Sequence, residues 1–265
     1  MRKHYTILIP LFILFSLFFT GCTQMQEEVL SPAERDILYQ ISTLDSLVAG
    51  NYEGIETAAQ VLEKGDFGIG TFEGLDGEMV ALDGTIYQVK ATGAVEEPDE
   101  DIMIPFSSVT FFDADTSYKI SEVENLDALK ALLDPMIEKK DRFYAIRLDG
   151  DFSAVKVRSV PKQEKPYPVL SEVTSSQPVF DYEEVSGTLV GFWCPDYVGS
   201  VNVPGYHLHF ISDDRTMGGH LLEISFADAQ VMIDETRFFS MTLSEEAARE
   251  GDIVDAQDEI DKVEK

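Results

Sequence analysis

The chain has 265 residues and carries 49 Asp and Glu against 20 Lys and Arg, a formal net charge of −29. A field of that sign repels phosphate backbones and anionic headgroups, which excludes nucleic acid as a partner and an electrostatic hold on a lipid surface. With 44% hydrophobic residues but only two cysteines, Cys22 and Cys194, stability must come from core burial or subunit association rather than from disulfides.

Residues 1–22 read as a targeting segment. Arg2 and Lys3 give a charged start, an apolar run extends from Tyr5 to Phe19, and Phe19-Thr20-Gly21-Cys22 closes it. The ending resembles a bacterial lipoprotein signal, although Phe19 stands where Leu is usual. The run is short for a membrane span of about 20 residues. The expectation is a removed signal over 1–21, a lipid on Cys22 that anchors the protein to a membrane, a tether over 22–30, and an exported folded region over 31–265.

Ser31-Pro32-Ala33-Glu34 has the form of a capping box with Pro at the first helical position, predicting a helix to about Val48 that stops near Gly50. From Phe67 to Val95 short apolar runs alternate with glycine turns, the pattern of an antiparallel meander. Glu96–Asp101 reads as an acidic loop and Val109–Phe112 as a strand. Leu126–Lys140 has a helical period that Pro135 kinks or divides. Strand patterns then follow at 143–148, 152–160, 186–193, 206–211, 220–226 and 229–243, with an acidic tail after Ser244. The class is α+β and strand-dominated, with two sheet-based lobes dividing near 140–170.

The histidines are the informative residues. His207, His209 and His220 fall within fourteen positions, and the only other, His4, lies in the targeting segment. Residues two apart share a strand face, so His207 and His209 stand side by side on the strand 206–211. If the polar turn Asp213–Thr216 closes symmetrically, paired residues sum to 429 and His220 sits opposite His209. Directly paired Cβ atoms lie about 5 Å apart, close enough for three rings to hold one ion at about 2.0–2.1 Å. Gly218 and Gly219, having no side chains, are expected to leave room for a ligand above it.

Other groups can complete such a site. Glu78 stands in Gly-Glu-Met-Val-Ala-Leu, a strand with apolar residues on both faces, and a carboxylate buried there is suited to proton transfer. Arg142, Arg147, Lys156, Arg158, Lys162 and Lys165 gather much of the scarce positive charge. An arginine on a strand can clamp a small carboxylate, but most of this group reads as neutralising nearby acids such as Asp149 and Asp151. A cupin-type site also uses His-x-His, yet it expects a glutamate four or five residues after the second histidine, where Asp213 and Asp214 stand.

These residues resemble the bacterial α-acetolactate decarboxylase family. The resemblance is carried by Leu38-Tyr-Gln-Ile-Ser-Thr-Leu, Gly68-Ile-Gly-Thr-Phe, Leu75-Asp-Gly-Glu, Pro105-Phe-Ser-Ser-Val-Thr, Phe143-Tyr-Ala-Ile-Arg, Gln163-Glu-Lys-Pro-Tyr, Gly187-Thr-Leu-Val-Gly-Phe-Trp, and Pro204-Gly-Tyr-His-Leu-His-Phe followed by Gly218-Gly-His. It runs in order from about 35 to 230. It implies a metal-dependent lyase, with zinc usual, that converts (S)-2-acetolactate into (R)-acetoin and carbon dioxide. By position, His207, His209 and His220 match the metal ligands, Glu78 the strand glutamate near the metal, and Arg158 the active-site arginine. A glutamate of the tail, taken here as Glu264, matches a further metal ligand. The expected chemistry is zinc acting as a Lewis acid on an enediolate, with Glu78 as proton donor and Arg158 orienting the leaving carboxylate. The resemblance further implies a homodimer and an α+β fold with a mixed sheet and a barrel-like β lobe carrying the metal site. The alternative is an exported lipoprotein that binds a small keto or hydroxy acid through the metal without turnover.

Overall fold

The computed structural model describes residues 30–245. The targeting segment with Cys22, almost all of the tether, and the tail with Glu264 lie outside the described residues. In chain order the first elements are α1 (Pro32–Arg35), β1 (Ile37–Ile41), α2 (Leu44–Val48), β2 (Glu56–Thr57), α3 (Ala58–Leu62), β3 (Phe67–Thr71), β4 (Glu78–Leu82), β5 (Thr85–Val89), β6 (Val95–Glu96), β7 (Met103–Ile104) and β8 (Phe106–Thr110). They are followed by β9 (Thr116–Val123), α4 (Leu126–Leu133), β10 (Phe143–Arg158), α5 (Leu170–Thr174), β11 (Val179–Cys194), β12 (Gly205–Ser212), β13 (Gly218–Thr236) and β14 (Phe238–Thr242).

Two sheets carry the fold. The first is seven-stranded, in the order β14-β1-β8-β3-β4-β5-β6; it is mixed, because β1 and β14 run parallel while its other pairs are antiparallel. The second is five-stranded and antiparallel, in the order β10-β11-β12-β13-β9, with β10 pairing β13 as well as β11. A short ladder, β2–β7, stands apart. The chain passes from one sheet to the other between Thr110 and Thr116 and returns for β14 at Arg237. The described residues from Ser31 onward form one compact unit.

The helix expected over 31–48 is corrected. Only half of its capping box forms: the Glu34 carboxylate accepts the Ser31 N–H and hydroxyl, both at 2.7 Å, while the Glu34 N–H bonds the Ser31 carbonyl, and the helix lasts one turn. Ile37-Leu-Tyr-Gln-Ile instead becomes β1, flanked by β8 and β14, with four of its five residues buried. Ladder bonds on both edges outweigh a local helix signal, whose nucleation costs more than a single turn returns. A second helix start at Thr43, whose hydroxyl accepts the Ser46 N–H, opens α2.

The segments 143–148 and 152–160 are one strand, β10, with register shifts near Gly150 that absorb the break in pattern. The strand expected over 229–243 divides at Arg237, its first part fused to 220–226 as β13. β9 gave no signal because nearly all its residues are exposed on a sheet edge, so its polar sequence carries no alternation. Pro135 divides the helical stretch as expected, α4 ending at Leu133 before a 3-10 turn over Asp134–Met136.

Phe67, Ile69 and Val80 of the first sheet pack on Phe143, Val190, Phe192 and Ile211 of the second, and each fully buried large side chain contributes about 1.5–3 kcal/mol. A second core, including Phe152, Phe210 and Phe226 of the five-stranded sheet, also takes in Leu129 and Leu133 of α4. A third joins α2 and α5 to Phe106, Val160 and Val203, beside the site described below.

One buried acid makes stability depend on pH. Asp234 on β13 is buried and accepts the Asp113 N–H at 3.1 Å. Burial raises its pKa from 3.8 to about 7, Asp115, Asp36 and Asp113 adding to the rise against the pull of that hydrogen bond. The folded state therefore holds this proton to a higher pH than the unfolded chain. The stabilisation is complete at low pH and is lost as pH rises through the window from about 4 to about 7. Asp234→Asn should raise stability at pH 8 by on the order of 2 kcal/mol and leave it nearly unchanged at pH 4, measured by thermal denaturation at both. An equal effect at the two pH values would refute the assignment.

Candidate metal centre and active site

Strand register builds the centre. β12 pairs with β13 so that His209 opposes His220, Phe210 opposes Gly219 and Ile211 opposes Gly218, the symmetric closure expected from the turn. On the other side of β13, His220 opposes Arg158 of β10. That pairing depends on a bulge: Lys156 pairs with Glu223 but Val157 pairs with Leu221, so Leu222 is skipped and the ladder advances by one residue. Arg158, His220 and His209 thus form a row across three strands, with His207 two residues along on the same face.

The three imidazoles converge. Their nearest ring nitrogens all lie within 4.8 Å of one another, and the ring centroids are 5.0–5.3 Å apart. His207 Nε2 stands 3.2 Å from His220 Nδ1. His209 Nδ1 lies 2.8 Å from the Met79 carbonyl of β4, which can only accept, so Nδ1 carries the proton and Nε2 keeps its lone pair. That Nε2 is buried and has no hydrogen-bond partner. Burial, with Arg158 adding, pushes the His207 pKa down to about 3, and burial holds His209 and His220 well below the ordinary value. All three rings are therefore neutral near pH 7, the form that ligates a metal. The donor set fits a divalent transition-metal ion that accepts imidazole ligands.

Glu78 reaches the same place from the other sheet. It is buried, its Oε2 lies 3.6 Å from His209 Nε2, and its Oε1 accepts from Arg158 Nη1 at 3.2 Å. Arg158 Nη1 also donates to Gln177 Oε1 at 3.2 Å, a partner with no signal in the sequence because it sits in the loop before β11. The remaining basic residues of that stretch bind acids elsewhere, Arg147 on Asp83 and Asp149, Lys156 on Asp181, and Lys165 on Glu53. Among the six candidates only Arg158 enters the site.

The cavity around these groups has an apolar wall built from Leu44, Leu47 and Val48 of α2, Phe106, Leu170 and Val203. Thr71, whose hydroxyl donates to the Gly77 carbonyl, also lines it. The expected role of the glycine pair is corrected. A Cβ on Gly218 would lie 2.8 Å from the Phe210 carbonyl and 2.9 Å from Val89, and one on Gly219, at φ +141°, 2.5 Å from the Arg158 carbonyl. These glycines admit neighbouring strands, not a ligand.

Three imidazoles beside a buried Glu–Arg pair, in a cavity between two sheets, form a site that could hold a metal ion. Residues 38–250 match the family model described as alpha-acetolactate decarboxylase, and the chain belongs to that family. It is 47% identical over 236 residues to the alpha-acetolactate decarboxylase of Methanosarcina mazei, covering 87% of this chain and 81% of the relative. The Brevibacillus brevis enzyme of the same name is 40% identical, with 80% and 75% covered. The crystal structure of alpha-acetolactate decarboxylase from Bacillus subtilis strain 168 superposes with a TM-score of 0.81 at 35% identity, covering 86% of this chain and 99% of that one.

Thermal denaturation tests the ligand assignment directly. Added zinc should raise the stability of the metal-stripped protein by about 2.7 kcal/mol once free metal reaches about 100 times Kd. His209→Ala and His220→Ala should lose that increment. A full increment in either variant would place the ion elsewhere.

Proposed function

We propose that this protein decarboxylates (S)-2-acetolactate to (R)-acetoin and carbon dioxide with a divalent ion, zinc by the family resemblance, held by His207, His209 and His220. The observation that carries the reading is the convergence of three imidazoles on a cavity that also holds the buried Glu78–Arg158 pair. The names of the relatives supply the substrate. Glu264 is proposed as a further ligand, brought in by the tail. When bound, the ion supplies Lewis acidity where negative charge develops on the substrate's carbonyl oxygen.

The chain's own residues account for the rest. Arg158, fixed between Glu78 and Gln177, presents a cation to the substrate carboxylate and holds the bond to be broken in one orientation. When that carboxylate leaves as carbon dioxide, its bonding electrons remain on the substrate as an enediolate, and one proton must be added at carbon. Glu78 delivers that proton from the one side it occupies, which sets the hand of the product. Each turnover consumes one proton, and Glu78 is the group placed to pass it to the substrate carbon.

Carbon dioxide release on mixing the protein with acetolactate separates turnover from a lipoprotein that merely binds a keto or hydroxy acid. Glu78→Gln should retain its metal and lose about 10²–10⁴-fold in kcat or release acetoin of mixed hand. Full rate with pure (R)-acetoin would remove Glu78 from proton transfer. Chelation should abolish turnover and zinc restore it. Export with a lipid on Cys22 and assembly as a homodimer complete the proposal: labelled fatty acid should be incorporated by the native chain but not by Cys22→Ala, and light scattering should give twice the chain mass.

A further inference from the structure

A buried amide pair remote from the histidines ties the apolar wall of the cavity to the first sheet. Gln40 of β1 and Asn202, in the segment leading into β12, are both almost wholly buried. Asn202 Nδ2 donates to Gln40 Oε1 at 2.7 Å and to Ser108 Oγ of β8 at 3.0 Å, while its Oδ1 accepts the Val203 N–H at 2.7 Å. Gln40 Nε2 donates to the carbonyls of Ser42 at 2.7 Å and Val201 at 2.5 Å. Every donor and acceptor group of the two side chains is thus used, and such a network holds one geometry where an apolar contact would tolerate several.

The segment held in this way has two consequences for the cavity. Val203 follows Asn202 directly and lines it. The carbonyls of Val201 and Ser200 accept the N–H groups of Leu44 and Asp45, at 3.0 and 3.1 Å, and these are otherwise orphan donors in the first turn of α2. α2 then supplies Leu44, Leu47 and Val48 to the same wall. Position therefore passes from β1 and β8, through Gln40 and Asn202, to both Val203 and the α2 leucines.

We infer that the Gln40–Asn202 pair determines specificity by position: it fixes the distance between the metal-ligand face and the apolar wall, and so limits the length of the alkyl group on a 2-hydroxy-3-keto acid. The inference rests on the decarboxylase reading above. The pair touches no reacting atom, and it acts through Val203 and α2.

The test compares kcat/KM for acetolactate with that for its homologue carrying ethyl in place of the methyl on the hydroxyl-bearing carbon. The ratio does not depend on what fraction of a variant is folded, so a purely structural role leaves it unchanged. In Gln40→Leu/Asn202→Leu both amides are removed together, so neither strands the other, while the Ser42 and Val201 carbonyls and the Val203 N–H lose a partner and the segment is released. This variant should shift the ratio about fivefold or more toward the ethyl substrate, within the discrimination one methylene supports. Val203→Ala, which keeps the amides and opens the wall directly, should shift it the same way. Unaltered ratios in the double variant with Val203→Ala shifted would overturn the positioning role, and unaltered ratios in both would overturn the wall itself as the determinant. A wild-type protein inert toward both acids would instead defeat the decarboxylase reading.

Discussion

The row formed by Arg158, His220 and His209 across β10, β13 and β12 is the constraint on which the rest of the site depends. Antiparallel pairing sets facing residues on one side of the sheet at a spacing fixed by the backbone, so no loop is needed to aim these groups. The row is sensitive to register. Were Leu222 not skipped, Arg158 would face Leu221 and its guanidinium would stand beside an apolar side chain instead of the histidines. Gly219 serves the same row, because its backbone passes within a side chain's reach of the Arg158 carbonyl.

One sheet is not sufficient. β4 of the first sheet contributes Glu78 and the Met79 carbonyl, adjacent residues whose side chain and backbone reach the second sheet together. The carbonyl decides which nitrogen of His209 is free for a metal, and Glu78 balances the charge of Arg158 in a place with little water to do so. The inter-sheet core of Phe67, Ile69, Phe143 and Phe192 therefore has a chemical consequence: sliding one sheet on the other would separate Glu78 from the histidines.

The strong negative charge of the chain has little to do with this centre. The salt bridges that the surface lysines and arginines make are mostly exposed and weak contributors to stability, whereas Arg158 and Glu78 are the pair held away from solvent. The buried Asp234, in the second sheet but away from the histidines, ties stability to pH independently of that site.

Much of the centre was legible in the chain itself. Period-two spacing placed His207 and His209 on one face, the turn at 213–216 set His220 opposite His209, and a carboxylate in an apolar strand marked Glu78. These are local patterns, and strand geometry translates them without reference to the rest of the fold. Choosing Arg158 among six basic residues needed the family resemblance and then the bulge, because nothing local distinguishes it from Lys156 two positions earlier. The short range of helix signals explains why Ile37–Ile41 was misread: its fate as a strand is decided by β8 and β14, about 70 and 200 residues away in sequence. Gln177, the Met79 carbonyl and the Gln40–Asn202 pair have no sequence signature, since their roles consist wholly of meeting partners from distant segments. Sequence determined which chemistry is present and on which strand faces; only the packing of one sheet on the other decided that those faces meet in a single buried cavity.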